Sequence, residues 1–300
     1  MKYLRISNRV INKISSGWMR FWFFCIILLP ILILLGLIIK SYPIINSNSF
    51  YGLITTDLWQ PAHEEFGFKS FIFSSVYVTL IALFFAGPVC LFSAIHLTFY
   101  ANKKMIDVMQ PIVDILAGIP SVVYGVWGII AIVPFVRNFA AHFLHIETTG
   151  YTILAGGLVL AVMIIPFILN ILLDLLRSIP TELQEASLSL GAGKWYTVKR
   201  VLLKKSMPGI ISAMGLGLSR AFGETMAVLM VVGNVAKMPK GIFQPGYPLP
   251  ALIANNYGEM MSIPKYDSAL MFAALLLLII VFLFNLGSRI LIVRYERNSQ

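Results

Sequence analysis

Arg220 and Glu224 stand four residues apart inside an apolar run, GLSRAFGETMAVLMVVGN, with Thr225 directly after the glutamate. On a continuous helix a spacing of four puts both charges on one face, about one turn apart. A guanidinium presents a planar fork that matches the oxygens of an oxyanion, and ionisable residues inside membrane spans are transport-pathway candidates by default. The plainer alternative is a structural ion pair in which each charge only makes the other tolerable. Asp114 raises the same question upstream. It opens DILAGIPSVVYGVWG, an apolar stretch broken by Gly118, Pro120, Gly125 and Gly128. A carboxylate at mid-bilayer costs about 2.5–3.5 kcal/mol on insertion scales, so Asp114 is expected at the edge of a span, protonated, or paired. The glycines and proline suit either close helix packing or a backbone break lining a polar path.

A second stretch has a different chemistry. Between Pro180 and Ser206 the chain reads TELQEASLSLGAGKWYTVKRVLLKKS, polar and basic, between two apolar runs. Thr181 with Gln184 fits a capping box, so a helix is expected to start there, with Gly191 and Gly193 as its stop. A second helix is expected from Lys194, turned by Pro208 into the next apolar run. A short helix flanked by glycines and held between two spans is a compact knob, suited to a groove on a soluble partner.

The elements that must carry these residues follow from composition. The 300 residues are 58% hydrophobic and 12% charged, with a mean hydropathy of +0.84, which excludes a soluble domain and gives an all-α polytopic membrane protein. Runs of about 20 apolar residues can cross the hydrocarbon, and six are present: Met19 to Ile39, Ser70 to Tyr100, Met109 to Val136, Tyr151 to Leu173, Met207 to Val235 and Ala269 to Ile292. The net charge of +10 is explained by its distribution. Lys and Arg number five up to Arg20 at the start of the first span, two after the second, six after the fourth and three from Arg289 onward, against six at the other ends of the spans. The positive-inside rule then puts both termini and the Pro180 loop in the cytoplasm and leaves nothing for a nucleic-acid role.

The sequence divides into a cationic, amphipathic stretch at 1–18, a first span with its external loop at 19–69, a core at 70–293 that contains the basic loop 175–206, and a tail at 294–300. The first span lacks a small-x-small cleavage site and should remain as an anchor. Cys25 and Cys90 both fall in spans, so no disulfide framework is implied. The external loop at 41–69 spells no site, and the five-proline loop from Ala236 to Pro264 leaves room for one helix, Leu249 to Met260, to meet a substrate-delivering protein or plug the outer mouth. His142 and His145 lack a ligand cluster, so no metal is expected. Leu188 and Trp195 defeat a phosphate-cradling loop around Lys194, so the chain is not expected to be an enzyme or to bind a nucleotide.

Two sets of residues resemble a known family. Glu185, Ala186, Ser187, Gly191 and then Val201, Leu202, Leu203 resemble the EAA loop of ABC importer permeases, with Ser187 in place of the second alanine and Lys204 in place of the proline. AGIPSVVYGVWG and RAFGETMAVLMVVGN resemble the PstC-type permeases of phosphate-specific ABC importers, over most of residues 70 to 290. The resemblance implies a type I ABC importer permease fold in the bacterial cytoplasmic (inner) membrane. The implied partners are a second, PstA-type permease, a dimer of PstB-type ATPase subunits that uses ATP and Mg, an external PstS-type phosphate-binding protein, and membrane lipid. It makes Glu182, Glu185, Ala186, Ser187 and Gly191 the surface coupled to the ATPase, and Arg220, Glu224, Thr225 and Asp114 the substrate pathway. Glu224 then either holds Arg220 until substrate arrives or selects for the proton that phosphate carries near neutral pH and sulfate lacks. A permease for sulfate or molybdate is the runner-up, and an autonomous ion-coupled carrier a more distant one.

Overall fold

A long apolar segment in hydrocarbon must satisfy its backbone within itself, and here it does so as helix. A computed structural model describes residues 8–258, 263 and 265–299. Its elements are α1 (Asn8–Ser47), α2 (Phe50–Thr55), a two-strand hairpin of β1 (Trp59–Gln60) and β2 (Glu65–Phe66), α3 (Lys69–Phe99), α4 (Lys103–Gly118), α5 (Ser121–Trp127), α6 (Val133–Phe139), α7 (Ile153–Arg177), α8 (Thr181–Ser189), α9 (Lys194–Thr197), α10 (Leu203–Gly223), α11 (Met226–Leu229), α12 (Leu249–Asn256) and α13 (Tyr266–Ser299). π-helical turns at Gly128–Ile132 and Val198–Leu202 join α5 to α6 and α9 to α10. Six stretches are long and apolar enough to cross a membrane: Ser15–Ser47, Lys69–Phe99, Ser121–Leu144, Ile153–Arg177, Lys194–Gly223 and Tyr266–Tyr295.

The centre of the bundle is the pair α3 and α7. Ala82, Ala86, Cys90 and Ala94 recur every four residues on α3, and all are fully buried. This stripe of small side chains lets a second helix come close. At Gly157 of α7 the approach is so near that a Cβ would lie 2.4 Å from Ile81 Cγ2. α10 closes the same core, where a Cβ at Gly217 would meet Ile168 of α7 at 2.4 Å. A second core joins the end of α1, α13, and the segment around Tyr247 to Leu252, roofed by an aromatic cluster in which Trp59 stands against Phe66, Phe68 and Phe71. The stretch 41–69, expected as an external loop without a site, continues α1 to Ser47, adds α2 and the hairpin, and packs Trp59, Phe66 and Phe68 into this cluster.

Four sequence expectations change. Residues 8–18 run into the first span without a break, as one helix, while 1–7 lie outside the described residues. The third span starts at Ser121 rather than Met109, because Ile119 and Pro120 are extended (ψ 129° and 143°) and separate it from the amphipathic α4. Pro120 has no N–H to offer the Leu116 carbonyl one turn earlier, and the Tyr124 hydroxyl donates to that carbonyl at 2.8 Å, bracing the corner. The fifth span ends at Gly223 rather than Val235. Pro208 does not turn the chain; it lies within α10, and the Lys204 carbonyl, to which Pro208 has no N–H to offer, accepts from Tyr295 at 3.3 Å.

Candidate functional site

Glu224 is where α10 stops. Its backbone is extended (φ −73°, ψ 126°), and the chain re-enters the bundle as the single turn α11. This overturns the expectation that Arg220 and Glu224 share a face of one continuous helix. Glu224 instead turns its carboxylate onto the following segment, where Oε1 accepts from the Ala227 N–H at 3.3 Å. The Thr225 hydroxyl donates to the Gly223 carbonyl at 3.3 Å, across the same break.

The re-entrant segment is held by close packing. A Cβ at Gly125 would fall 2.5 Å from Met230 Sδ, and one at Gly128 would fall 2.9 Å from Val231 Cγ1. These glycines serve packing; Gly118, with open space around it, does not. Beyond α11 the chain turns through Gly233 (φ +95°) and Asn234 (φ +52°), whose side-chain amide donates to the Leu229 carbonyl at 2.8 Å. It then pairs with Gly246 and reaches Tyr247 and Leu249, whose N–H groups donate to the Ser74 and Ser75 hydroxyls at 3.1 and 2.8 Å. The buried first half of α12 thus seals one end of the bundle above the break. Between them, beside Thr79, Glu224 and Pro248, remains a cavity of about 10 Å³, at the lower limit for one water.

Arg220 lies on the open side of this seal. It is exposed, and its guanidinium carbon sits 4.7 Å from the centre of the Phe167 ring on α7. Among the described residues the one ion pair within 4.0 Å joins Lys265 to Glu64 elsewhere, so Arg220 is not neutralised by Glu224 or Asp114. Asp114 belongs to α4, outside the third span, and its Oδ1 accepts from the Asn170 amide at 3.2 Å. Phe167 and Asn170 are one turn apart on α7, so this helix ties Arg220 and Asp114 to one strip. Asn285 on α13 adds a polar group, 2.7 Å from the Ser219 hydroxyl. Phe167, Asn170 and Asn285 carried no sequence signal by themselves; the available clue was an asparagine in each of two otherwise apolar spans.

The second site is the hairpin of α8 and α9. Thr181 is the first helical residue and caps nothing, because Pro180 occupies the cap position, so the expected capping box is absent. The stop is as expected, since Gly191 takes φ +79°, a conformation open to glycine at little cost. Ser187 Oγ lies 2.9 Å from Thr197 Oγ1 and ties α8 to α9, while Lys194 Nζ lies 4.8 Å from the ring centre of Tyr100 at the end of α3. Glu182, Glu185 and Ala186 are all exposed. Leu190 is 89% exposed, with Trp195 at 53% and Tyr196 at 60%, three large side chains left uncovered along the hairpin.

Residues 86–298 match the family described as binding-protein-dependent transport system inner membrane component. The chain is 37% identical to a probable ABC transporter permease protein, YqgH, of Bacillus subtilis, over 84% of this chain and 79% of the relative. It is 34% identical to the phosphate transport system permease protein PstC of Xylella fastidiosa, over 80% and 78% of the two chains. A probable PstC of Methanocaldococcus jannaschii is also 34% identical, over 88% of each. Among solved structures, the inward-facing MetNI methionine ABC transporter aligns at a TM-score of 0.58 and 25% identity, over 74% of this chain and 93% of that one. A bacterial ABC transporter for the import of alginate aligns at a TM-score of 0.61 and 15% identity, over 96% and 99%, a likeness of fold.

Proposed function

We infer that this chain, which belongs to the inner membrane components of binding-protein-dependent transport systems, is a permease subunit of an ATP-driven importer of inorganic phosphate. It is a multi-pass membrane protein with a type I ABC importer permease fold. A permease of this kind works with an ATPase and a substrate-binding protein. We assign these to PstB-type and PstS-type subunits, with a PstA-type second permease completing the pathway and the PstB-type dimer supplying the ATP and Mg chemistry. The excess of Lys and Arg at one set of helix ends supports a bacterial inner-membrane topology with both termini cytoplasmic.

The observation that carries the substrate reading is Arg220: a guanidinium near the end of a membrane span, without a carboxylate partner among the described residues. Its fork is available to an oxyanion, and the Phe167 ring orients it without consuming its charge. Glu224 is close in sequence yet engaged with Ala227, so it does not serve as a latch on Arg220. That favours the other role, accepting a hydrogen bond from the O–H of a protonated oxyanion and repelling sulfate. The exposed 181–191 helix receives the push of the ATPase dimer, and Ser187–Thr197 passes it to α9 and on to α10, the helix that ends at the break.

The test is reconstitution of all four component types in vesicles. Phosphate uptake and phosphate-stimulated ATP hydrolysis are expected for the native chain. Arg220→Ala is expected to lose uptake while the assembled complex keeps basal ATPase activity. Unchanged uptake in that variant removes the substrate reading.

A further inference from the structure

A cavity lies away from the pathway. It measures about 730 Å³ and sits where the last turns of α7, the start of α10 and the end of α13 meet. Its walls have two chemistries. Leu175, Val201, Pro208 and Gly209 give an apolar surface, and Arg200, Lys204 and Lys205 bring three cations to it. All three cations are exposed, and among the described residues none has a carboxylate within 4.0 Å. Tyr295, an amphipathic ring of the kind found where spans meet water, stands at the rim with its hydroxyl on the Lys204 carbonyl.

We propose that this cavity is a binding site for one anionic phospholipid, with its headgroup phosphate on Arg200, Lys204 and Lys205 and an acyl chain along Leu175, Val201 and Pro208. Charge complementarity argues for the headgroup, because basic pockets between membrane helices are suited to anionic lipid heads. The apolar wall argues for a lipid over a free ion, which would gain nothing from it. The position argues for a lipid over the soluble ATPase: Leu183 is the single lining residue from α8, whereas Leu175, Pro208, Gly209 and Tyr295 come from α7, α10 and α13, so the cavity opens between the bundle helices and not at the exposed tip of the hairpin. That one contact also gives the lipid an effect. An occupied site braces α8 against α10, so lipid composition would tune the coupling of ATP hydrolysis to transport.

The complete importer complex, purified and exchanged into mixed phosphatidylglycerol and phosphatidylcholine, tests this by native mass spectrometry of retained lipid. One phosphatidylglycerol is expected per copy of this chain, resistant to millimolar inorganic phosphate. Arg200→Gln, Lys204→Gln and Lys205→Gln should each weaken retention by about fivefold and together by roughly 100-fold. A Lys237→Gln, Lys240→Gln control, in the loop after α11, should leave retention unchanged. Should the triple variant fail to assemble, the single variants carry the same test. Equal retention in variants and native chain overturns the proposal, as does displacement of the lipid by inorganic phosphate, which would make the site one for a free anion. Release of the ATPase from the variants regardless of lipid would overturn it too, by assigning the surface to a protein partner.

Discussion

The guanidinium of Arg220 stacks on the ring of Phe167, with 4.7 Å between the guanidinium carbon and the ring centre. A lysine at this position would keep the charge and lose both the planar stacking and the two-pronged grip on an oxyanion. Arg220→Lys is therefore expected to cut phosphate uptake at low substrate by roughly 10-fold or more, the worth of one to two charge-assisted hydrogen bonds. Phe167→Leu should cost only about two- to fivefold, the value of an exposed cation–π contact. Initial uptake rates in vesicles decide this, and an active Arg220→Lys protein would mean that charge alone suffices.

Glu224→Gln removes a negative charge and keeps the shape, including an oxygen able to accept from Ala227. Assembly and thermal stability should be close to native. Sulfate is expected to inhibit phosphate uptake by this variant more strongly than uptake by the native chain. If competition assays find sulfate still ignored at a hundredfold excess, Glu224 is not the selective group.

Gly125→Val places a branched side chain where even a Cβ would be 2.5 Å from Met230 Sδ and 3.3 Å from Ala227 Cα. Overpacking of this kind costs about 1–3 kcal/mol, so the unfolding temperature should fall. A second change, Met230→Ala, should recover part of the loss. A double variant no more stable than Gly125→Val alone would place the strain at the Ala227 backbone instead.

Leu190→Asp puts a charge on the most exposed apolar residue of the α8–α9 hairpin. The expected phenotype is a permease that reaches the membrane and no longer retains the ATPase on affinity purification. Glu185→Lys should give a milder defect, in which ATP hydrolysis continues and uptake does not follow. Retention of the ATPase by Leu190→Asp would move the docking surface elsewhere.

Tyr295→Phe should cost about 1 kcal/mol, because the Lys204 carbonyl, to which residue 208 as a proline cannot donate, loses its hydroxyl partner. In a Pro208→Ala background residue 208 has an N–H of its own, and the same tyrosine change should be nearly silent. A double-mutant cycle on thermal stability reads the difference; additive effects would show the two residues to be independent.

Composition and charge distribution were enough to place six spans and the hairpin, because membrane crossing leaves a long, high-contrast signal. What they missed was where spans end. The run around Asp114 looks apolar through Ile119 and Pro120, yet the two extended residues there turn α4 out of the third span. Likewise MAVLMVVGN after Thr225 is apolar up to its last two residues, and the chain uses it for a re-entrant turn packed against Gly125 and Gly128. Hydropathy reports burial from water and is silent on whether lipid or protein does the burying. The pairing of Arg220 and Glu224 failed for the same reason, since a spacing of four has its meaning only while the helix continues. Phe167 and Asn170 became visible only once α7 had been set beside α4 and α10, a tertiary fact that the local sequence does not encode.

The every-fourth-residue stripe of Ala82, Ala86, Cys90 and Ala94 bears on how such a permease can move. Side chains this short leave no slack between α3 and α7, and sliding one helix past the other would drive Ile81 into the backbone at Gly157. The pair therefore travels as a single beam. Because Ser74 and Ser75 fasten the 247–249 segment to α3, the seal at one end is carried along with it. The backbone breaks beside that beam, at the Ile119–Pro120 corner and at the end of α10, are the places where the chain can turn without unwinding a helix.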